Sequence, residues 1–343
     1  MRVPLLSIAA VAASLLAGGV LVAKNLEPHA ANHILNVSYD PTRELYLAID
    51  PAFIAESARG GGEEVDIRQS HGGSSYQARQ VASGAQAADV VTLGLPSDID
   101  GLAKRGLIAA GWRTRLPNNA QPYHTTVVFV VRKGNPLHIG DWPDLVKGNI
   151  EVITPDPKTS GNGKLTLLAA WGSVISKGGS EADAKTLITA ILDHAPFLVP
   201  AARAASVAFS VEKRGDVQVA WENEALREVA ESKGAVEIVY PPVSILAEPA
   251  VAWVDANVAK HHSEALAKSY LEFLFGDAGQ EIIAKEGYRA FNPDVAKRHA
   301  DRLPEVNLFP ISLIAKDWND ADQKFFAENG VIDAIYKPKP RTD

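Results

Sequence analysis

Short apolar runs alternate with stretches of helical spacing along the chain from about residue 33 onward. A short apolar run bounded by turn residues predicts a buried strand, whereas apolar positions three and four apart predict a helix. The predicted strands are residues 35–38, 65–68, 88–93, 126–132, 150–154, 217–220 and 236–240. The predicted helices are residues 40–56, 77–83, 98–104, 165–175, 181–194, 222–233, 263–274 and 278–286. This alternation is typical of an α/β protein with parallel sheets and helices on both faces.

The predicted elements fall into two groups, separated by extended connectors at residues 122–126 and 244–251. A length of 343 residues also suggests two domains, at ~150 residues each. We expect one lobe from residues 32–123 plus 247–343, including the C-terminal helices, and a second from residues 124–246, joined by paired hinges. In open sheets of this kind a ligand binds beyond the carboxyl ends of the strands, so the loops there form the candidate site.

The chain begins with Arg2 and a mainly apolar run at residues 3–23. This pattern is typical of a secretory signal, although residues 21–23 are a mediocre cleavage site. The alternative is a retained membrane anchor, because the run is nearly long enough to span a bilayer. We therefore expect residues 1–31 to be a signal peptide or N-terminal anchor with a short spacer. On either interpretation the rest of the chain is periplasmic.

Composition excludes several classes of function. A formal net charge of −7, with no long block of Lys or Arg, argues against a nucleic-acid partner. The absence of cysteine excludes disulfides, thiolate metal sites and a cysteine nucleophile. His71 has no spaced partner that would make it a metal ligand or a catalytic base. We expect neither a metal nor a cofactor.

Two runs of small residues each follow a predicted strand and precede a predicted helix. They are Ser-His-Gly-Gly-Ser-Ser at residues 70–75 and Thr-Ser-Gly-Asn-Gly at residues 159–163. Such turns expose backbone N–H groups at a helix N-terminus, where the peptide dipoles favour an anion. Neither run is a nucleotide-binding P-loop, because the leading glycine and the Ser or Thr after Lys164 are missing. The pattern predicts a small anion held mainly by neutral donors.

Six blocks of sequence, in the family's order, resemble the periplasmic sulfate-binding proteins. They are NVSYDPTRE at 36–44, IRQSHGGS at 67–74, ADVVTL at 88–93, VRKGNP at 131–136, AWENEA at 220–225 and SILAEP at 244–249. The resemblance implies the type II periplasmic-binding-protein fold, with two lobes that are each a mainly parallel sheet flanked by helices. It also implies a monomer that captures sulfate between the lobes and delivers it to an inner-membrane ABC permease. Thiosulfate or another tetrahedral oxyanion is the alternative ligand.

The resemblance further implies a set of ligand contacts. Backbone N–H donors are expected at Asp40, Ser74, Gly161, Asn162 and Ala202, with a hydroxyl donor at Ser160 and an indole donor at Trp221. Sulfate is a dianion that only accepts hydrogen bonds, so a site built from donors suits it. His71 and Arg203 are expected near the anion without contacting it, and Lys164 is expected on the solvated face of its helix. Asn162 and Ala204 stand where members of the family commonly carry glycine, which leaves the anion preference open.

Each of these residues has an ordinary alternative role. Asp40 and Ser160 fit helix N-caps, and a tryptophan such as Trp221 is commonly a core residue. An enzyme is the alternative class of function, because residues 71–73 resemble an esterase oxyanion loop and Ser74 or Ser160 could be a nucleophile. No Gly-x-Ser-x-Gly elbow accompanies them, so no catalytic residue is expected.

Overall fold

A computed structural model of the chain describes residues 32–61 and 64–337. The strands are β1 His33–Tyr39, β2 Asp66–Gly72, β3 Val90–Leu93, β4 Tyr123–His124, β5 Val127–Arg132, β6 Val152–Ile153, β7 Val217–Trp221, β8 Val236–Val239, β9 Ser244–Ile245, β10 Ala250–Trp253, β11 Arg289–Ala290 and β12 Leu308–Phe309. The expected signal or anchor at residues 1–31 lies outside the described residues.

The α-helices lie between these strands and after them. They are α1 Arg43–Arg59, α2 Ser74–Ala82, α3 Pro96–Lys104, α4 Pro117–Ala120, α5 Gly161–Ser176, α6 Glu181–His194, α7 Ala202–Ser206, α8 Glu222–Glu231, α9 Asp255–His261, α10 Glu264–Phe273, α11 Asp277–Lys285, α12 Pro293–Arg298 and α13 Trp318–Ala321. Short 3₁₀ turns occur at Asp40–Thr42, Trp112–Thr114, Trp142–Val146 and Ile311–Leu313, and π turns at Val207–Val211 and Asp322–Phe326. Among the described helices, none combines the length and apolar character needed to cross a membrane.

Two four-stranded sheets form the frame of the molecule, in the orders β10-β3-β1-β2 and β6-β7-β5-β8. In each sheet three strands share one direction and a single strand runs against them. The reversed strands are β5, which follows the first connector, and β10, which begins at the end of the second. β10 lies at an edge, so the first sheet is mainly parallel as expected. β5 lies inside the second sheet, which is therefore mixed rather than mainly parallel.

Each sheet is covered by helices and has its own apolar core. The first core joins β1 and β3 to α1, α3, α9, α10 and α11 and includes the buried side chains of Val37, Ile49 and Tyr270. The second sheet packs against α5 and α6 on one face, where Leu168 and Ile188 are buried. Its other face packs against α8 and against apolar residues between Phe197 and Phe209. The molecule is thus built as two lobes.

The two connectors between the sheets are hydrogen-bonded to each other. The backbone N–H of Thr125 donates to the carbonyl of Ala247 at 3.0 Å, and the N–H of Ala247 donates back to Thr125 at 2.9 Å. The hydroxyl of Thr126 also donates to the carbonyl of Ile245 at 2.8 Å. Both crossings therefore lie side by side, as a pair of hinges requires.

The expected lobe boundaries remain a prediction, and the packing favours a change at the C-terminal end. β12 pairs with β9, and the aromatic ring of Phe325 lies 5.0 Å from that of Trp171 on α5. Phe309, Trp318 and Phe325 are all buried in the core of the second sheet. Residues from about 308 onward thus pack their apolar side chains into the second lobe, although Asn319 also donates to Asp100 of the first lobe at 2.7 Å.

Candidate anion-binding site

The candidate residues lie where the two lobes touch. A Cβ added to Gly161 would lie 3.2 Å from the Cβ of Ser74, so the two turns of small residues face each other. The backbone N–H of Arg203 donates to Oδ2 of Asp40 at 2.8 Å, which brings Ala202 beside Asp40. The rings of Trp221 and Tyr39 lie 5.3 Å apart, and Asp40 follows Tyr39 directly. Gly94 connects the two sets, because its N–H donates to the Ser74 hydroxyl at 3.0 Å and a Cβ on it would lie 3.4 Å from the Trp221 ring. All seven predicted ligand-binding residues therefore lie in one region.

The five predicted backbone donors each occupy the first or second position of a helical turn. Asp40 opens a 3₁₀ turn, Ser74 opens α2, Gly161 and Asn162 open α5, and Ala202 opens α7. N–H groups at these positions have no acceptor within their own helix. Across the described residues, none of the five meets another acceptor, although all five residues are buried. Because buried N–H groups are almost always hydrogen-bonded, this arrangement calls for an acceptor.

The two predicted side-chain donors belong to buried residues and are also unpaired. Ser160 is 3% exposed and Trp221 is 1% exposed. Among the described residues, neither the Ser160 hydroxyl nor the Trp221 indole N–H has a hydrogen-bond partner. Ser160 occupies the N-cap position of α5, but its hydroxyl does not cap the helix. Trp221 packs as a core residue and still has a free donor.

The Ser74 hydroxyl, in contrast, is fully engaged. It donates to Oδ2 of Asp98 at 2.6 Å and accepts the backbone N–H of Gly94 at 3.0 Å. Ser75 donates to the other oxygen of Asp98 at 3.0 Å, and burial raises the pKa of this carboxyl group. Ser74 can therefore offer only its backbone N–H to a ligand.

The Asp40 carboxylate does not cap its own helical turn. Tyr39 holds the N-cap position, and Asp40 is the first residue of the turn. Its two carboxylate oxygens instead accept the Arg203 backbone N–H at 2.8 Å and the Arg43 guanidinium at 2.8 Å. The predicted self-capping role is wrong, because an N–H group of the other lobe lies within reach of the carboxylate.

The cations near the site are paired with carboxylates. Arg203 donates to Glu44 across the two lobes, and Nη1 of Arg227 lies 2.5 Å from the same carboxylate. Burial raises the pKa of Glu44, but the Arg203 hydrogen bond and the charges of both arginines lower it further, so the net shift is downward. Arg227 also lies 2.8 Å from Glu224, whose pKa burial raises to about 8. Arg203 thus lies beside the candidate site with its charge compensated.

His71 and Lys164 have different surroundings from each other. Burial and then the charge of Arg43 lower the pKa of His71 to about 4, so the ring is neutral near pH 7. Its Nδ1 atom is buried and has no partner among the described residues. Lys164 is only 7% exposed and lies 2.7 Å from Asp322, so the prediction of a solvated lysine is wrong. The C-terminal segment that supplies Asp322 covers this part of α5.

Comparison with known proteins identifies the family. A family described as bacterial extracellular solute-binding protein matches residues 35–289. This chain belongs to that family. A thiosulfate-binding protein of Pseudomonas aeruginosa is 45% identical over 328 residues, which cover 95% of this chain and 98% of the relative. A sulfate-binding protein of Salmonella typhimurium is 45% identical over 325 residues, or 94% and 97% of the two chains.

Solved structures lead to the same fold. The sulfate-binding protein SubI of Mycobacterium tuberculosis superimposes with a TM-score of 0.78 and is 31% identical. The match covers 86% of this chain and all of SubI. The predicted type II periplasmic-binding-protein fold is confirmed. The prediction of a binding protein rather than an enzyme is confirmed by the family to which the chain belongs.

The departures from glycine at Asn162 and Ala204 fit this solute-binding protein without backbone strain. Asn162 and Ala204 lie in the helices α5 and α7, and neither has a positive φ. The Asn162 amide donates to the carbonyl of Val219 at 3.2 Å. Its backbone N–H therefore keeps the orientation of a helix N-terminus, as a glycine there would.

A groove of about 680 Å³ lies between the lobes of the solute-binding protein. Its walls include Arg43, His71 and Gly73 from the first lobe and Thr159, Pro200 and Arg203 from the second. Ser160, Asn162 and Trp221 are not among the residues that line it. Asp40 does line it, so the lobes close over the other predicted donor residues and leave an open groove outside them. Within the described residues, no cluster of three His, Cys, Asp or Glu side chains could hold a metal ion.

No sequence motif indicated the residues that join the lobes around this site. The Asn223 amide donates to the carbonyl of Pro41 at 3.1 Å and to the Tyr288 hydroxyl at 2.9 Å. The backbone N–H of Tyr76 donates to the carbonyl of Thr159 at 3.2 Å. Most of these contacts use backbone carbonyl groups, which every residue carries, so no side-chain motif marks them.

Proposed function

We propose that this solute-binding protein captures sulfate between its lobes and delivers it to an ABC importer of the inner membrane. The observation that carries the proposal is the set of buried donors without acceptors. Five backbone N–H groups, one hydroxyl and one indole N–H occur together at the junction of the lobes. Relatives named for sulfate or thiosulfate binding, at 45% identity over nearly the full chain, agree with this function.

The chemistry of the proposed donors favours a fully ionised tetrahedral anion. Sulfate offers only acceptors, and each hydrogen bond to a charged partner contributes about 1.5–3 kcal/mol. The helix N-termini add a favourable dipole interaction, typically about 0.3–1 kcal/mol each. Together these interactions offset the cost of removing the anion from water.

Phosphate is disfavoured by the same argument. Its protonated form needs an acceptor in the site. Asp40 and Asp98 carry carboxylates beside the proposed donors, and both already accept hydrogen bonds, Asp40 from Arg203 and Arg43 and Asp98 from Ser74 and Ser75. A protonated anion would therefore leave its own O–H group unpaired. Thiosulfate carries no such proton and is the second candidate, supported by the Pseudomonas aeruginosa relative.

The proposed ligand contacts are the backbone N–H groups of five residues and two side chains. They are Asp40, Ser74, Gly161, Asn162 and Ala202 through N–H, Ser160 through its hydroxyl and Trp221 through its indole. His71 and Arg203 are proposed to lie near the anion without contacting it. We further propose a periplasmic monomer that docks on a membrane permease, with its hinges in the connectors at residues 122–126 and 244–251.

Calorimetric titration of ligand-stripped protein with sulfate, thiosulfate, phosphate and molybdate tests the proposal. We expect sulfate to bind with a stoichiometry of about one and phosphate to bind far more weakly. Sulfate should also raise the unfolding temperature in proportion to the logarithm of its concentration, because it binds only the folded protein. Tighter binding of thiosulfate would change the ligand to the second candidate. Absence of binding by all four anions would refute the function.

A further inference from the structure

Gly73 lies against the backbone of the opposite lobe. A Cβ at this position would lie 2.4 Å from the carbonyl oxygen of Thr159 and 3.1 Å from that of Pro200. The first distance is far below any normal contact between a carbon and an oxygen atom. Both carbonyl groups belong to the second lobe, whereas Gly73 precedes α2 of the first. A side chain here would collide with fixed backbone rather than with a flexible side chain.

The turn itself does not require glycine at this position. Gly73 has φ −57° and ψ 134°, a conformation that any L-residue adopts. The preceding Gly72 provides the comparison, because the three atoms nearest to a Cβ there all belong to the side chain of Gln77, at 3.3 Å or more and within the same lobe. The lack of a side chain at Gly73 is therefore needed only when the lobes are together.

The same carbonyl group makes a hydrogen bond across the lobes. Thr159 accepts the backbone N–H of Tyr76 at 3.2 Å, in the first turn of α2. One turn further along α2, the Arg79 guanidinium donates to the carbonyl of Lys158 at 3.2 Å. A Cβ at Gly73 would push this strip of the second lobe away and lengthen both hydrogen bonds.

This contact lies between solvent and the proposed anion. Gly73, Thr159 and Pro200 line the open groove on one side. The next residues along the chain, Ser74 and Ser160, carry proposed donors and are 2% and 3% exposed. The contact thus closes the site on the side of the groove.

We propose that Gly73 is the residue that permits complete closure of the lobes over the bound anion. It acts as a positioning residue, because it determines how closely the donors of the two lobes approach. The inference rests on the proposed function for the identity of the anion. Closure itself can be measured separately.

The binding test uses Gly73→Ala, with Gly72→Ala as the matched control. In Gly73→Ala the closed state is less populated, and the apparent Kd rises by the same factor. We expect sulfate affinity to fall about tenfold or more, mainly through faster release, and to fall further in Gly73→Val. Gly72→Ala should bind within about twofold of the wild type. Unfolding temperatures without ligand should stay close to the wild type for Gly73→Ala, because its clash is absent when the lobes are apart.

The closure test uses fluorescence energy transfer between the lobes. The chain has no cysteine, so Leu47→Cys and Val211→Cys can carry a dye pair, and both positions are 72% exposed. Addition of sulfate should change the transfer efficiency in the otherwise native protein and in Gly72→Ala. The change should be smaller in Gly73→Ala, even at sulfate concentrations that saturate binding.

The outcomes separate the two proposals. If the wild type binds none of the tested anions, the proposed function fails whatever Gly73 does. If the wild type binds sulfate and Gly73→Ala binds and closes equally well, the role of Gly73 is refuted. Equal loss of affinity in Gly72→Ala and Gly73→Ala would also refute it, because the effect would then come from the turn and not from the opposite lobe.

Discussion

The turn at residues 70–75 and the turn at residues 159–163 both open a helix at the junction of the lobes, but their serines have different partners. The Ser74 hydroxyl is held by Asp98 and Gly94. The Ser160 hydroxyl has no partner among the described residues. The first turn can thus offer a ligand its backbone alone, whereas the second offers both backbone and side chain.

This difference indicates that the two lobes contribute different kinds of donor to the site. In the first lobe, the position of Ser74 is fixed by a hydrogen-bond network around the buried Asp98. The second lobe contributes the two side-chain donors, Ser160 and Trp221, together with three backbone N–H groups. We therefore expect the loss of a side-chain donor in the second lobe to reduce affinity, and the loss of the Ser74 hydroxyl in the first turn to reduce stability.

The largest effect is expected from removing both side-chain donors in the variant Ser160→Ala with Trp221→Phe. Two hydrogen bonds to a charged ligand are lost, which costs about 3–6 kcal/mol of binding free energy in total. Sulfate binding should fall by about 10²–10⁴-fold in calorimetry. Each single substitution should account for part of this loss.

The control for this variant is the unfolding temperature without ligand, which should change little for Ser160→Ala because the hydroxyl holds no other group. Wild-type affinity in the double variant would show that Ser160 and Trp221 do not donate to the anion. The anion would then have to be bound elsewhere, for example in the open groove beside Arg43 and Arg203.

The next effect concerns stability and comes from Ser74→Ala. The substitution removes one donor from the buried Asp98 and leaves the Gly94 N–H unpaired, which costs about 1–3 kcal/mol. Urea unfolding without ligand measures this loss. Sulfate affinity should fall less than in Ser160→Ala, because the backbone N–H of residue 74 remains.

Ser75→Ala is the matched control for Ser74. It removes only the 3.0 Å hydrogen bond to Asp98 and should destabilise the protein less. If Ser74→Ala left stability unchanged and abolished binding, its hydroxyl would be a ligand donor, and the two turns would be equivalent.

The sequence predicted the elements that carry the site better than the contacts between them. The predicted helix at residues 181–194 coincides with α6, whose first turn has a capping box formed by Ser180 and Asp183. The predicted strand ends lie within a few residues of the observed ones, because alternating apolar runs and turn residues are local signals. The shared location of the two turns followed from the rule that ligands bind at strand ends.

Features that depend on contacts between distant parts of the chain could not be predicted from the sequence. The helix α7, only five residues long, carries too few apolar positions to reveal a period. The burial of Lys164 depends on Asp322, which is 158 residues further along the chain. The use of the Asp40 carboxylate depends on an N–H group 163 residues away. Neither partner is marked by a motif, so both required the structure.

A buried carboxyl group of the second lobe, Glu224, predicts that the stability of the protein depends on pH. Burial raises the pKa of Glu224, on α8 of the second lobe, from 4.5 to about 8. Between these values the unfolded chain has released the proton while the folded chain still binds it. Stability without ligand should therefore decrease as pH rises from about 5 to 8.

Thermal unfolding across this range tests the prediction, and Glu224→Gln should make the decrease shallower. Asp50 is the comparison group, because burial raises its pKa only to about 6. Asp50→Asn should flatten the profile below about pH 6 and leave the upper part unchanged. An identical slope in Glu224→Gln and the wild type would show that this carboxyl group ionises normally.

The smallest effect is expected from His71, the ionisable side chain within the first turn. Its pKa of about 4 leaves the ring neutral above pH 5, and sulfate does not change its charge there. Sulfate affinity should thus vary by less than about twofold between pH 5 and 7, in the wild type and in His71→Gln alike. Calorimetry at constant ionic strength measures this. An affinity that rises toward pH 5 in the wild type and stays flat in His71→Gln would make the first turn a source of charge as well as of backbone donors.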